Sequence, residues 1–407
     1  MKRLKKKVLF LLGLCILALP AGCTSGEKTT EKDIKQKEEL VLWSYYETDN
    51  QKAAMDDLVR GFNESQDSYH LTWEYHGPLT EFNKRLAIGI TQDQLPDMVI
   101  MDNPDIPSYI KMDKFEDITE AVKGIEDLDQ YFPNAMESVE YGGRYYGVPF
   151  CCNNVGLIYN KDILKEAGVS VPKTLDELIQ TAKKLTQPGR YGFAMSAIKG
   201  EQSAFQFANF MLSAGDDLDQ AGGEGTLKAF SYIQTMVEQG IMSRECVNWS
   251  QNDVARKFIA GECAMMENGP WVFPALDEAG VNYGITEFPL DQRRRGVLGG
   301  EDIAVLKEKN VEGSIAFLKY YSQIDTMLNI NLRANSLPPR KDVAKLFLKA
   351  KPEYQVILSQ MDSCIPRAGC EQWSQLSEQL SKGQYQIITG ERTPQEVCQE
   401  IRKTMEH

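Results

Sequence analysis

The sequence LVLW at residues 40–43 opens the stretch that decides the fold class of this chain. Such a short apolar run is typical of a β-strand. LTWEY at 71–75 alternates apolar and polar side chains, the period of a second strand, and MVIM at 98–101 has the continuous apolar character of a strand buried on both faces. Helical patterns at 51–65 and 82–90 lie between these strands. The alternation of strands and helices predicts an α/β fold with a mostly parallel sheet wrapped by helices.

Capping residues mark helix boundaries in the second half of the chain. TLDE at 174–177 and TPQE at 393–396 have the pattern of a capping box, and SQND at 250–253 opens a helix that Gly261 ends. Apolar residues spaced from Leu227 to Val237 predict another helix. The α/β character is therefore expected to continue to the C-terminus.

The first 22 residues have the order of a secretory signal peptide. Basic residues come first, an apolar run follows at 8–19, and small residues stand directly before Cys23. Cys23 resembles the cysteine of a bacterial lipobox, which is lipidated and becomes the mature N-terminus. We expect residues 1–22 to be removed and 23–38 to form the lipidated cysteine and a flexible polar tether. The protein would then be anchored on the extracytoplasmic face of a bacterial cell membrane. An ordinary secretory signal that ends near a cysteine is the alternative.

The charge of the chain excludes some partners. Its net charge is −13, and removal of the first 22 residues, with their five basic side chains and no acidic ones, leaves −18. A strongly acidic chain repels nucleic acid and anionic membrane surfaces, so we expect no nucleic-acid partner. The remaining chain of about 385 residues is long enough for two domains.

Cysteine and histidine usage argues against metal and cofactor chemistry. The seven cysteines that follow Cys23 show no paired spacing, and the chain has only three histidines. We therefore expect no metal site and no cofactor. Cys364 and Cys370 are close enough in sequence to form a disulfide, whereas most of the other thiols are expected to be buried.

Several separated motifs stand in a fixed order. They are LPDMV at 95–99, YGGRYYGVP at 141–149, LIYNKD at 157–162, FIAGECAMM at 258–266, NGPW at 268–271, GG at 299–300 and LPPRKD at 337–342. This order resembles the extracellular solute-binding proteins of ABC sugar importers, the family that includes maltose-binding protein. The resemblance covers roughly residues 40–342, and the stretch from about residue 343 carries less of it.

The resemblance implies a two-lobed periplasmic-binding-protein fold, type II-like, with an interlobe cleft and a hinge. The chain would cross the hinge near 151–154 and again near 299–302, and the lobes would close on a ligand. The expected lobes are 39–150 plus 300–336 for the first and 154–297 plus 338–407 for the second. The implied function is to bind an extracellular mono- or oligosaccharide, as a monomer, and to deliver it to the permease of an ABC transporter.

Candidate ligand-binding residues stand at the ends of predicted elements, where α/β proteins bind ligands. Aromatic rings suit the apolar faces of a sugar, and carboxylates and amides suit its hydroxyls. The candidates are Trp43, Tyr45 and Tyr46 after the first strand, Asp102 after the third, Asn153 and Asn154 at the hinge, Trp271 after a Gly-Pro turn, Glu301 and Asp302 after the second crossing, and Trp373 on a C-terminal helix. The resemblance places Trp271 at a position that stacks on the ligand. Trp43 and Trp373 also suit core packing, Asp102 a helix cap, and the two asparagines a hinge turn.

Other functions remain open at this point. The same fold could bind a polyamine or a polyol phosphate, or it could serve a membrane sensor instead of a transporter. A surface glycoside hydrolase would need two carboxylates at a defined separation. The order of motifs that marks the family does not require catalytic residues, so we expect a binding protein and not an enzyme. The aromatic and amide candidates favour a neutral sugar as its ligand.

Overall fold

The computed structural model describes residues 37–405, which belong to one compact unit that begins at Lys37. The predicted signal peptide, Cys23 and most of the tether lie outside the described residues. The last two residues of the predicted tether belong to the folded unit instead. Glu38 begins a strand and pairs with Tyr69, and the Lys37 ammonium donates to the carbonyl oxygens of Asn63 (2.9 Å) and Gln66 (2.6 Å).

Thirteen strands are present in the described part. They are β1 (Glu38–Ser44), β2 (Tyr69–Tyr75), β3 (Met98–Asp102), β4 (Glu140–Tyr141), β5 (Arg144–Tyr145), β6 (Gly147–Pro149), β7 (Gly156–Asn160), β8 (Tyr191–Ala194), β9 (Cys263–Asn268), β10 (Tyr283–Thr286), β11 (Gly296–Leu298), β12 (Glu301–Val305) and β13 (Cys364–Pro366).

Seventeen α-helices accompany them. They are α1 (Asp49–Ser65), α2 (Leu79–Gln92), α3 (Ile106–Lys111), α4 (Thr119–Lys123), α5 (Pro133–Met136), α6 (Lys161–Glu166), α7 (Leu175–Leu185), α8 (Glu201–Ser213), α9 (Glu224–Glu238), α10 (Gln251–Ile259), α11 (Phe273–Glu278), α12 (Val311–Tyr321), α13 (Ile324–Ala334), α14 (Lys341–Ala350), α15 (Gln355–Gln360), α16 (Trp373–Thr389) and α17 (Pro394–Met405).

A five-stranded sheet in the order β2-β1-β3-β12-β6 forms the centre of the first lobe. All five residues of β3 are buried, which confirms the prediction of a strand covered on both faces. β1 runs parallel to β2 and β3, whereas β12 is antiparallel to β3 and β6. The expectation of a mostly parallel sheet is therefore right only for the first three strands, because β12 returns late in the chain and in the opposite direction.

The second lobe is built on a four-stranded sheet in the order β10-β7-β9-β8. Only its β8–β9 pair is parallel. Helices α8, α9, α16 and α17 pack on one another over this sheet. Aromatic side chains fill their core, and Phe207 stacks on Phe230 with ring centroids 4.2 Å apart.

The predicted helix caps are present, with one difference. Ser250 with Asp253 and Thr393 with Glu396 form reciprocal capping boxes. Thr174 accepts from the backbone N–H of Glu177, but the Glu177 carboxylate accepts from the N–H of Lys173 instead of Thr174. Only half of the predicted box at 174–177 therefore forms.

Three segments meet where the two sheets join. Cys152 pairs with Leu337, and Asn153 pairs with Gly299, both antiparallel. Gly300 has a φ of +134°, and a Cβ there would lie 2.1 Å from the carbonyl oxygen of Cys151. This position therefore requires glycine for both conformation and space. The structure brings the two predicted hinge crossings side by side, while the residue boundaries of the lobes remain a prediction.

Candidate functional site

A cleft of about 440 Å³ lies beside this junction and is lined from both lobes. This volume is within the usual range for small-molecule sites. The lining residues are Tyr45, Tyr46, Glu47, Thr48, Gln51, Pro78, Leu79, Thr80 and Asp102 from the first lobe, Ile198, Lys199, Gly200, Glu201, Gln202, Phe205, Gln251, Asn252, Pro270, Trp271 and Arg367 from the second, and Cys151, Asn153, Gly300, Glu301, Ala334, Asn335 and Ser336 near the junction.

Strand ends and helix N-termini position these side chains. The chain leaves β1 just before Tyr45, and Asp102 ends β3 directly opposite Glu301, the first residue of β12. Helices α1, α2, α8 and α10 each begin at the cleft. Thr48 caps α1, and the Gln51 side-chain oxygen accepts from the Thr48 N–H (3.1 Å). The cleft is thus the edge at which α/β folds place their ligands.

Glu301 is the centre of a hydrogen-bonded group on the cleft floor. Its Oε1 accepts from the hydroxyl of Tyr45 (2.8 Å), and its Oε2 accepts from the Cys151 thiol (2.6 Å) and from Tyr46 at 3.4 Å. Burial raises the pKa of the Glu301 carboxyl, although the donors from Cys151 and Tyr45 oppose that shift. Three protein donors therefore hold the Glu301 carboxyl in place on the cleft floor.

Arg367 forms a second polar group, to which both lobes contribute. Its Nη2 donates to Asp102 Oδ1 (2.6 Å) and to Asn103 Oδ1 (3.1 Å), while Nη1 donates to Asp102 Oδ2 (3.2 Å) and to Glu201. Its Nε donates to the carbonyl oxygen of Leu298 (3.3 Å). A guanidinium has five N–H donors, so every donor of Arg367 has an acceptor within the protein.

The charges in this group compensate one another. Burial lowers the pKa of Arg367, but Asp102 and Glu201 more than reverse this, so its net pKa shift is upward and it stays charged. Burial raises the pKa of Glu201, and Arg367 counteracts it. Glu201 also accepts from the indole N–H of Trp373 (3.1 Å) and from the Ser377 hydroxyl. Asp102 and Glu201 are thus held in place by protein donors.

Trp271 forms an aromatic wall of the cleft. Its ring lies beside Phe205 with centroids 6.4 Å apart, and the indole Nε1 is buried without an acceptor among the described residues. Residue 269 is glycine, and a Cβ there would overlap the Trp271 ring. The turn at 268–271 therefore holds the indole close to its own backbone.

Six of the ten predicted site residues line the cleft. They are Tyr45, Tyr46, Asp102, Asn153, Trp271 and Glu301. Tyr46 is nearly inaccessible, with 1 % of its surface exposed, so Tyr45 is the tyrosine that presents more surface.

The structure does not bring Asn154 and Asp302 to the cleft. Asn154 is buried, donates to the carbonyl oxygen of Ile357 (2.8 Å) and accepts from Gln360 (2.9 Å). Asp302 is buried and accepts from the Ser138 hydroxyl (3.0 Å), and its burial raises its pKa well above the usual range. Each follows a cleft residue, Asn153 or Glu301, and successive residues of an extended chain point to opposite faces.

Trp43 and Trp373 also lie outside the lining. Trp43 packs against His76, with ring centroids 4.1 Å apart, and against the core beneath α2. Trp373 is 3 % exposed and lies behind Glu201 and Arg367. Core packing, the alternative to ligand contact, therefore describes both side chains.

The sequence analysis missed Arg367 and Glu201. They are 166 residues apart in the chain, and neither belongs to a motif. The Gly200-Glu201 pair at a helix start was a weak local signal for the carboxylate. Arg367 follows a three-residue strand, and no local pattern marks it as a site residue.

Between residues 37 and 405, no three His, Cys, Asp or Glu side chains are grouped so that they could hold a metal ion. Among the helices of that part, none combines the length and apolar character needed to span a bilayer.

The profile of the bacterial extracellular solute-binding proteins matches residues 57–356, and the chain belongs to this family. A maltotriose-binding protein of Pyrococcus abyssi is 29% identical over 219 residues, 51% of this chain and 45% of that protein, so the match spans less than half of that relative. A galactooligosaccharide-binding protein of Bacillus subtilis is 25% identical over 300 residues, 71% of this chain and 69% of that protein. A maltooligosaccharide ABC transporter solute-binding lipoprotein of Streptococcus pneumoniae is 21% identical over 272 residues, 61% of this chain and 62% of that protein.

Solved structures share the fold. An ABC transporter solute-binding protein of Thermotoga lettingae, bound with α-D-tagatose, superposes with a TM-score of 0.81 at 23% identity. The superposition covers 91% of this chain and 100% of the Thermotoga lettingae chain. The chain therefore has the two-lobed fold expected from the order of its motifs.

Proposed function

We propose that this protein binds a neutral oligosaccharide in the cleft and delivers it to the permease of an ABC importer. One observation supports this ligand class: aromatic surface and neutral polar groups line the cleft, and three of its six charged side chains, Asp102, Glu201 and Arg367, are paired with one another. Trp271 and Phe205 offer apolar faces, and Gln51, Asn252 and Ser336 offer hydrogen-bonding groups. The names of the three relatives, which refer to maltotriose, galactooligosaccharide and maltooligosaccharide, support the same class.

An anionic ligand such as a polyol phosphate is disfavoured. Helix N-termini attract anions, but the lining has four acidic side chains, Glu47, Asp102, Glu201 and Glu301, against two basic ones. Arg367 has no donor left for a phosphate. Lys199 alone among the lining residues would have to neutralise the charge of the ligand. Its ammonium already contacts an aromatic ring, since it lies 4.1 Å from the ring centroid of Tyr385.

A polyamine is disfavoured for the complementary reason. Cationic ligands need carboxylates that are free to accept, and Arg367 occupies Asp102 and Glu201. Glu301 has a raised pKa and already accepts from two phenols and a thiol. Glu47, at the exposed rim, is left as the carboxylate for an ammonium group.

We also propose that the chain has no hydrolytic activity. Its family consists of binding proteins. A glycoside hydrolase needs one carboxyl as a proton donor and a second as a nucleophile or base. The buried carboxylates of the cleft are engaged by fixed protein donors. Turnover of a bound oligosaccharide, lost on replacing one of them, would contradict this proposal.

Cys23 is proposed as a lipidated N-terminus that keeps the protein at the membrane surface, where an importer can receive the sugar. The order of the first 38 residues and the lipoprotein name of the pneumococcal relative support it. A Cys23→Ser form should lose an acyl label in cells. Intact-mass analysis that finds an unmodified chain cut elsewhere would contradict it. Service to a membrane sensor remains the alternative, and co-purification with permease subunits would distinguish the two.

The ligand class is tested by a thermal-shift screen on the chain from Thr24 to His407, which contains the whole compact unit. Neutral mono- and oligosaccharides, polyamines and polyol phosphates are compared at equal concentrations, with the Trp271→Ala variant as control. A ligand that binds the native state raises the melting temperature. We expect a shift with a neutral oligosaccharide, reduced in the variant. A shift with a polyamine or a phosphate alone would overturn the proposal.

A further inference from the structure

Arg367 is attached to the second lobe by several contacts. It follows β13, which pairs in parallel with β11, and the Arg367 Nε donates to the carbonyl oxygen of Leu298 at the end of β11. Its guanidinium carbon lies 4.7 Å from the ring centroid of Phe205 on α8. Glu201, the first residue of α8, accepts from its Nη1. Arg367 therefore moves with the second lobe in any hinge motion.

The other half of the same guanidinium contacts the first lobe. Asp102 at the end of β3 accepts from both terminal nitrogens, and Asn103 accepts from Nη2. Arg367 is 2 % exposed, and Asp102 is 8 % exposed. Charge pairs removed from water in this way are screened little by salt. This buried ion pair therefore joins two elements that a hinge motion would separate.

From this geometry we infer that Arg367 is a positioning residue that holds the lobes together in the ligand-free protein. Separation of the lobes would break both bonds to Asp102 and leave Arg367 with Glu201 as its remaining carboxylate. The pair therefore favours the arrangement in which Trp271 and Glu301 face one cleft. A ligand then meets an assembled site and spends less of its binding free energy on closing the lobes.

The same part of the protein provides two controls. Lys111 on α3 and Glu371 form an exposed ion pair between the same two regions (3.3 Å), and exposed pairs contribute little. Arg340 is also 2 % exposed and ion-paired, with Asp342 two residues away at the start of α14 (2.7 Å) and with Asp127 (3.6 Å), and it contacts neither Asp102 nor Glu201. Lys111→Gln tests whether any ion pair between these regions matters. Arg340→Met tests whether loss of any buried arginine changes the shape.

The deciding experiment is small-angle X-ray scattering of the ligand-free chain from Thr24 to His407. We expect Arg367→Met to increase the radius of gyration, with Lys111→Gln and Arg340→Met close to the unsubstituted protein. Asp102→Asn, which leaves Arg367 in place, should also expand the protein and serves if Arg367→Met does not fold. An unchanged radius in the folded Arg367 and Asp102 variants, or equal expansion of the Arg340 variant, would overturn the inference.

A second measurement uses the sugar found in the screen and rests on the proposed function, whereas the scattering of the ligand-free protein does not. If the assembled fraction falls to about one tenth, the apparent Kd rises about tenfold. The bound variant should return to the compact radius. An affinity lost without expansion of the ligand-free protein would instead make Arg367 a direct ligand contact and overturn its positioning role.

Discussion

The ring of Trp271 lies directly against the backbone of Gly269, so that a Cβ on residue 269 would approach the ring carbons Cζ3 and Cη2 to within 2.0 and 2.2 Å. Gly269 has an ordinary φ of −109°, which any residue can adopt. Glycine is therefore required here for space and not for conformation. The orientation of the aromatic wall depends on this missing side chain.

Replacement of Gly269 by alanine should displace the Trp271 ring and weaken sugar binding by about tenfold, or about 1.4 kcal/mol. Isothermal calorimetry with the sugar from the screen measures the loss. Gly124→Ala is the matched control, since the nearest atoms to its Cβ are carbonyl oxygens at 3.4 Å, an ordinary contact. Equal affinities of the Gly269→Ala and unsubstituted proteins would show that the ring position does not matter.

Truncation of Trp271 itself should cost more. Loss of the stacking surface is worth roughly 1.5–3 kcal/mol by analogy with burial of a large side chain, so affinity should fall about 10- to 150-fold. Trp271→Phe should lose less, because a smaller ring still stacks. Calorimetry with and without sugar separates binding from stability. A folded Trp271→Ala protein with unchanged affinity would contradict this role and make Phe205 or Tyr45 the preferred candidate for the ring that stacks on the sugar.

Glu267 should make stability depend on pH. It is fully buried in β9, its Oε2 has no partner among the described residues, and burial raises its pKa well above the ordinary value of 4.5. At a pH between the ordinary value and the raised native pKa, the native carboxyl keeps its proton, whereas the same carboxyl in the unfolded chain is ionised. The contribution of Glu267 to the free energy of unfolding is therefore greatest below about pH 4.5 and declines as the pH rises towards the native pKa.

Glu267→Gln mimics the neutral carboxyl and should remove that decline. Its melting temperature should exceed that of the unsubstituted protein at pH 8, with a smaller difference at pH 5. Each 1 kcal/mol of relieved cost corresponds to roughly 1 °C in a chain of this size. Glu262→Gln, an exposed carboxylate next to the same strand, controls for loss of charge. A difference that does not vary with pH would contradict the assignment.

All seven cysteines of the described part should be free thiols that react slowly. Cys364 and Cys370 are not bridged, and burial raises the pKa of Cys246 and Cys364 to about 12. Cys370 alone is only partly buried. In the chain from Thr24 to His407, a thiol reagent at neutral pH should modify Cys370 first in the native protein and all seven thiols in denaturant without reductant. Five thiols in denaturant would reveal a disulfide.

The sequence could predict those site residues that follow directly from strand order. Tyr45 and Asp102 follow from strands that local apolar runs identify, and Glu301 follows from a glycine pair at the second crossing. The side of the extended chain on which each side chain lies was harder to predict, because a shift of one position moves a side chain to the opposite side. Asn153 and Glu301 therefore reach the cleft, while their neighbours Asn154 and Asp302 are buried on the other side.

By itself, the sequence determined the α/β alternation, the buried strand at 98–101, the helix caps and the order of motifs that marks the family. These features depend on residues within about ten positions of each other or on their order along the chain. Only the tertiary structure decided that Arg367 joins Asp102 to Glu201, across 265 and 166 residues of chain. A contact between residues so far apart leaves no periodic pattern in the sequence around either residue. The burial and the charge pairing of these three side chains arise only when both lobes have folded.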